Sequence, residues 1–335
     1  MKKILFATTA LVASAGVAAA DVSFSGYGRF GAIDIDAGLN PAFDASGIYT
    51  RIRLQIDMTM EADNGLEFGA RLRHQATSVN GAGYGGGFNG ARFFARAGGF
   101  ELGVGNIIGA IENMPGLYMG TQSAGIGLSG HTFSNLVTNT TSKGNFNWDA
   151  YSSGGAGADG VEVMYSAGDF SAHISYSDSP SGLVPAPFNV QQRVAAHVAY
   201  TFNDWTVALG YQDSDALVCA LNNTYTGAFA PLTGPGCEDK ALITVGGTVG
   251  PADLSLAYAD NDGIGKWGLY ANVEVGAATR VDAFVTSEEG VFGGETYGIG
   301  VSHNLGGGAS LEAGFAKDDT VLDITTMDLG IRFNF

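Results

Sequence analysis

Seven arginines crowd into one stretch of the chain, at Arg29, Arg51, Arg53, Arg71, Arg73, Arg92 and Arg96, with no lysine among them. A guanidinium keeps its charge at any physiological pH and presents a rigid planar fork, so it holds a fixed field better than a flexible ammonium. Gathered on one wall of a water-filled passage, such groups would sort ions and polar solutes by charge. Placed beside carboxylates such as Asp57, Glu67 and Glu101, they would instead lock that wall rigid. The two roles are compatible.

Bond-making chemistry has no comparable signal. The five histidines, His74, His131, His173, His197 and His303, are dispersed, with no H-E-x-x-H spacing and no nucleophile elbow. The stretch Gly26-Tyr-Gly-Arg-Phe-Gly31 matches a dinucleotide-binding spacing, but it lies inside a strand with no helix after it. Residues 81–90 read as a glycine-rich loop by composition. The two cysteines, Cys219 and Cys237, have no histidines nearby to complete a tetrahedral metal set. No enzyme, cofactor or metal site is expected.

The arginines sit on a strict period of two. Ile48, Thr50, Ile52, Leu54, Ile56, Met58 and Met60 form one face, and Arg51, Arg53, Gln55, Asp57, Thr59 and Glu61 the other. After the turn signal Asp63-Asn64-Gly65 the alternation resumes with Leu66, Phe68, Ala70 and Leu72 against Glu67, Arg71, Arg73 and Gln75. Matching the faces and setting Glu61 opposite Glu67 puts Asp57 opposite Arg71 and Gln55 opposite Arg73, with Arg53 diagonal to Arg73. Similar segments follow to the C-terminus, about sixteen in all, joined alternately by short turns and long connections. The last carries Met327, Leu329, Ile331, Phe333 and Phe335 on one face and ends the chain on an aromatic.

An arginine on a lipid-exposed face costs about 2–4 kcal/mol at mid-bilayer, so the arginine faces must meet water and the Ile/Leu/Met faces something apolar. A soluble sandwich would bury that apolar face in a core. The short/long turn rhythm, the even strand count and aromatics near strand ends favour lipid instead. Those aromatics are Phe24, Tyr49, Phe68, Phe100, Tyr165, Tyr176, Tyr200, Trp205, Tyr211 and Trp267. The expected fold is therefore all-β, a transmembrane antiparallel barrel of about 16 strands over residues 21–335, its last strand closing on the strand that begins at Val22. Residues 106–159 lack a convincing strand, and a connection of that length in a compact domain is usually functional. A barrel this wide has a lumen to receive it.

The first twenty residues read as a cleaved signal peptide: Lys2 and Lys3, an apolar run too short to span, then Ala18-Ala19-Ala20. Without Lys2 and Lys3 the chain has 14 basic against 33 acidic residues, a formal charge of −19, which disfavours nucleic-acid binding. Export through an oxidising compartment favours a disulfide between Cys219 and Cys237 closing a surface loop, worth roughly 3 kcal/mol.

Five fragments carry a family resemblance: Asn64-Gly-Leu-Glu-Phe-Gly-Ala70, Tyr165-Ser-Ala-Gly168, Ala199-Tyr-Thr-Phe202 with Leu209-Gly-Tyr211, Leu305-Gly-Gly-Gly-Ala-Ser310, and Asp328-Leu-Gly330 through Phe335. In this order they resemble the general diffusion porins of alpha-proteobacteria. The resemblance implies an outer-membrane homotrimer contacting lipid and lipopolysaccharide, and a third loop folded inward as a constriction. It also implies passive diffusion of ions and small hydrophilic solutes, and terminal Phe335 as the signal read by the barrel assembly machinery. In such porins an arginine wall faces an acidic loop. Here the loop's acidic residues are few, Glu112, Asp149 and Asp159 opposed by Lys143, so the seven arginines with Glu112 and Asp149 are the candidate constriction residues, and a calcium cage lacks its ligands. A local arginine field opposing the acidic net charge is expected to give weak selectivity. The alternative is a substrate-specific anion or sugar channel, for which Tyr27 and Phe94 are too few lumen aromatics to form a track.

Overall fold

The computed structural model describes residues 21–38, 44–118, 126–130, 148–152, 157–180, 190–214, 239–261, 263–291, 293–320 and 323–335. The signal segment, Cys219 and Cys237 lie outside these residues. The strands are β1 Asp21–Asp36, β2 Ala45–Glu61, β3 Glu67–Val79, β4 Ala82–Phe88, β5 Arg92–Ala97, β6 Phe100–Gly105, β7 Gly160–Ala167, β8 Phe170–Pro180 and β9 Val190–Phe202. They continue as β10 Trp205–Ser214, β11 Lys240–Val249, β12 Ala252–Asn261, β13 Ile264–Val275, β14 Thr279–Glu288, β15 Gly294–Gly306, β16 Ala309–Asp318 and β17 Ile324–Asn334.

Sequence neighbours pair antiparallel, except that β4 and β5 both pair with β3, and β1 pairs with both β2 and β17, so the sheet closes. Closure removes the two free edges that an open sheet would expose to lipid. The seam extends past β17, where Gly26 and Phe335 exchange backbone hydrogen bonds of 2.9 and 3.1 Å. Gly28 is needed here, because a Cβ at that position would lie 2.3 Å from the Phe333 ring.

The first hairpin has the register expected from its faces: Glu61 opposes Glu67, Asp57 opposes Arg71 and Gln55 opposes Arg73. Two expectations need correction. Residues 82–88 are a strand, not a loop, because Asn80 and Gly81, at φ 52° and 79°, form the two-residue turn that returns a chain directly onto β3. β4 and β5 follow one another along β3 and are interrupted at Asn89, whose backbone N–H donates to the Arg73 carbonyl. They form one spanning strand with a break, so seventeen segments make a sixteen-stranded barrel. Tyr49 is no rim aromatic. It is 2% exposed and faces inward, as its shared parity with Arg51 requires.

Alternation is clear in β9: Val194, Val198 and Tyr200 are about half exposed on the outside, while Ala195, His197 and Ala199 are buried inside. The outer apolar band includes Phe24, Ile52, Leu209, Leu256, Ile299 and Leu329, all far more exposed than a soluble core allows. The apolar core lies inside the barrel. Ala110, Ile111, Met114, Leu117, Trp148 and Ala150 pack on Ala195, Ala199, Ala208, Leu242, Ala257 and Ala259. Small inward alanines on β9, β10 and β12 leave the volume that the connection between β6 and β7 fills.

Candidate functional site

The arginines stand on β1, β2, β3 and β5, across the barrel from the alanine-lined wall of β9 to β12 in the order of strands around the sheet. Three of the seven are matched by carboxylates. Arg71 Nε lies 2.5 Å from Asp57. Arg92, 1% exposed, donates to Glu162 at 2.6 Å and to Glu101. Arg96 joins Glu101 and, at 3.0 Å, Glu67. These three rigidify the wall, and their fields are largely cancelled locally.

Arg29, Arg51, Arg53 and Arg73 have neutral partners, and among the described residues none forms an ion pair with a carboxylate. Arg29 donates to the Tyr49 hydroxyl at 2.7 Å and the Ser129 carbonyl at 3.2 Å. Arg51 donates to Thr77 at 3.0 Å and Arg53 twice to Gln75, at 2.8 and 2.5 Å. Arg73 donates to the Tyr151 carbonyl at 2.5 Å and to Gln55 at 3.3 Å. Neutral acceptors take up some of their N–H groups without removing the charge.

The described parts of the β6–β7 connection touch opposite sides of the lumen. At its start the buried Glu162 carboxylate accepts from the backbone N–H groups of Ile108 at 3.2 Å and Gly109 at 2.9 Å, besides Arg92, and lies 3.0 Å from His173 Nε2. His197 Nδ1 is 2.6 Å from the Ala110 carbonyl, and Thr244 donates to the Pro115 carbonyl at 2.6 Å. On the arginine side, Asp328 accepts from the N–H groups of Leu128 and Ser129 at 2.8 and 2.7 Å. Asp149 departs from expectation. It is 2% exposed, accepts from Ser177 at 2.7 Å and Arg193 at 3.1 Å, and fastens the connection to β8 and β9 without presenting its charge to the lumen.

The Gram-negative porin family matches residues 7–321 of the chain. The chain belongs to that family. A porin of Fuscovulum blasticum is 28% identical over 333 residues, covering 94% of this chain and 100% of that protein. A porin of Rhodobacter capsulatus is 31% identical over 194 residues, 51% of this chain and 60% of that protein. A multiply substituted Rh. blastica porin of known structure shares the fold, with a TM-score of 0.70 at 22% identity over 94% of this chain and 100% of the other. The protein is thus an outer-membrane channel for passive diffusion of small solutes.

In this porin, the loop carboxylate Glu112 feels the charges of Arg73 and Arg53. It accepts from Tyr118 at 2.7 Å and Trp148 at 2.8 Å. Burial pushes its carboxyl above the usual range, opposed by those two donors and by the more distant Arg73 and Arg53. A raised pKa means that, as pH falls, Glu112 takes its proton before an ordinary glutamate would, while the arginines stay charged. Zero-current potentials in a salt gradient should therefore move toward anions at a pH above the ordinary glutamate range, and the Glu112→Gln channel should lack that step. Identical pH profiles for the two channels would refute this.

The porin's lumen also holds residues absent from the sequence-based candidates. Arg332 lies 4.3 Å from the Tyr27 ring, and Arg53 lies 5.3 Å from the same ring. The parity of the terminal strand already set Arg332 apart from Leu329 and Phe333. Glu162 shares the inward parity of β7, but its four partners come from β5, the start of the loop and β8, and no local spacing announces them.

Proposed function

We propose that the channel is a general diffusion pore narrowed by residues 106–159, with Arg51, Arg53 and Arg73 on one side of the narrow zone and Glu112 on the loop side. The observation that carries this reading is the pairing pattern: three wall arginines lie in carboxylate pairs, whereas these three have neutral partners facing a loop that is packed inside the barrel. Transport selects by size and weakly by charge. Residues 1–20 direct export, Cys219 and Cys237 form a disulfide, and terminal Phe335 serves assembly into a homotrimer among lipid and lipopolysaccharide. Liposome swelling with neutral sugars of graded size tests the pore. Rates that fall smoothly with solute size support it, and saturation by one sugar would favour a specific channel.

A further inference from the structure

Arg332, Arg29 and Arg51 lie side by side on three adjoining strands. In the register of the sheet Arg29 is directly opposite Arg332 on β17 and directly opposite Arg51 on β2. Side chains opposed in this way approach within about 5.5 Å at Cβ, and like charges so placed are destabilising. The next row sets Arg53 opposite Tyr27, whose ring has the guanidinium groups of Arg29, Arg53 and Arg332 at 5.6, 5.3 and 4.3 Å. The arrangement gathers positive charge, and Arg29, Arg51 and Arg53 have no carboxylate partner among the described residues. Arg29 is 2% exposed, and its Nε and Nη1 have no hydrogen-bond acceptor among those residues. Arg51 and Arg53 are only partly buried and border the lumen.

We propose that Arg51 and Arg53, backed by Arg29, form a binding site for a doubly charged oxyanion such as inorganic phosphate on the wall of the pore. A chloride ion offers one charge and no directional oxygens, whereas a dianionic oxyanion presents several acceptors to adjacent guanidinium forks and neutralises two charges at once. The site rests on the general-pore reading and deepens it: passing oxyanions pause on this wall, and their flux saturates while that of neutral solutes does not.

The test is single-channel current in dilute potassium chloride with inorganic phosphate added to one side at pH 8, for the wild type and for Arg51→Gln, Arg51→Lys and Arg53→Gln. A steady potassium chloride current in each variant establishes that its barrel is folded. The wild-type chloride current should fall saturably with phosphate, with a half-effect in the millimolar range. Arg51→Gln and Arg53→Gln should each raise that concentration about tenfold or more, as loss of charge-assisted hydrogen bonds implies. Arg51→Lys, which keeps the charge and loses the fork, should fall between. A wild-type current that tracks bulk conductivity without saturating overturns the proposal, as does an unchanged half-effect in both glutamine variants. No potassium chloride current in the wild type would instead sink the pore reading itself.

Discussion

Glu162→Ala should turn a quiet channel into a noisy one with a larger solute cut-off. The Glu162 carboxylate is fully buried and holds four donors: Arg92, His173 and the N–H groups of Ile108 and Gly109. Deleting it strips the first turn of the loop of its anchor and removes one of the two carboxylates that neutralise the buried Arg92 guanidinium. Breaking a buried ion pair in this one-sided way costs about 3–5 kcal/mol. The barrel has a closed ladder of backbone hydrogen bonds to spare, so the loss falls on the loop. Glu162→Gln should be milder, since one oxygen remains, although the amide N–H₂ would face the donor N–H of Gly109. Current noise and the liposome size limit measure the effect, and a Glu162→Ala channel as quiet and as narrow as the wild type would show that the loop is held elsewhere.

The second large effect concerns the outer face. Leu329 is 55% exposed at the middle of β17, between Ala32 on β1 and Ala313 on β16. An arginine there faces hydrocarbon and costs about 2–4 kcal/mol at mid-bilayer. Leu329→Arg should therefore lower the yield of barrels assembled in lipid vesicles and shift urea unfolding of the survivors to lower concentration, whereas Leu329→Ile should leave both near wild type. Equal assembly of the arginine and isoleucine variants would mean that this face is sheltered from lipid.

Period-two alternation made most of the barrel legible in the sequence, because lipid and water impose opposite demands on successive side chains. The hairpin register followed from one turn and matched faces, and the closing seam from a strand that ends on Phe335. Two misreadings have local causes. Glycine content hides β4, although Asn80-Gly81 is a hairpin signal, and Tyr49, an aromatic near a strand end, shares the inward parity of Arg51. The split among the arginines was not legible. Asp57, Glu67 and Glu101 lie on adjoining strands and were visible as partners, but Glu162 is 70 positions from Arg92 and Arg193 is 44 from Asp149. Only the folded loop and the closed sheet bring such pairs together.

The central claim is that Arg51, Arg53 and Arg73, having neutral partners, offset the acidic charge of the chain within the pore. The zero-current potential across a potassium chloride gradient, compared between the wild type and the Arg51→Gln/Arg53→Gln/Arg73→Gln variant, tests it most directly. The account predicts a wild-type potential close to zero and a strong shift toward cation preference in the variant. A wild type that is already strongly cation-selective, or a variant that does not move, would contradict it.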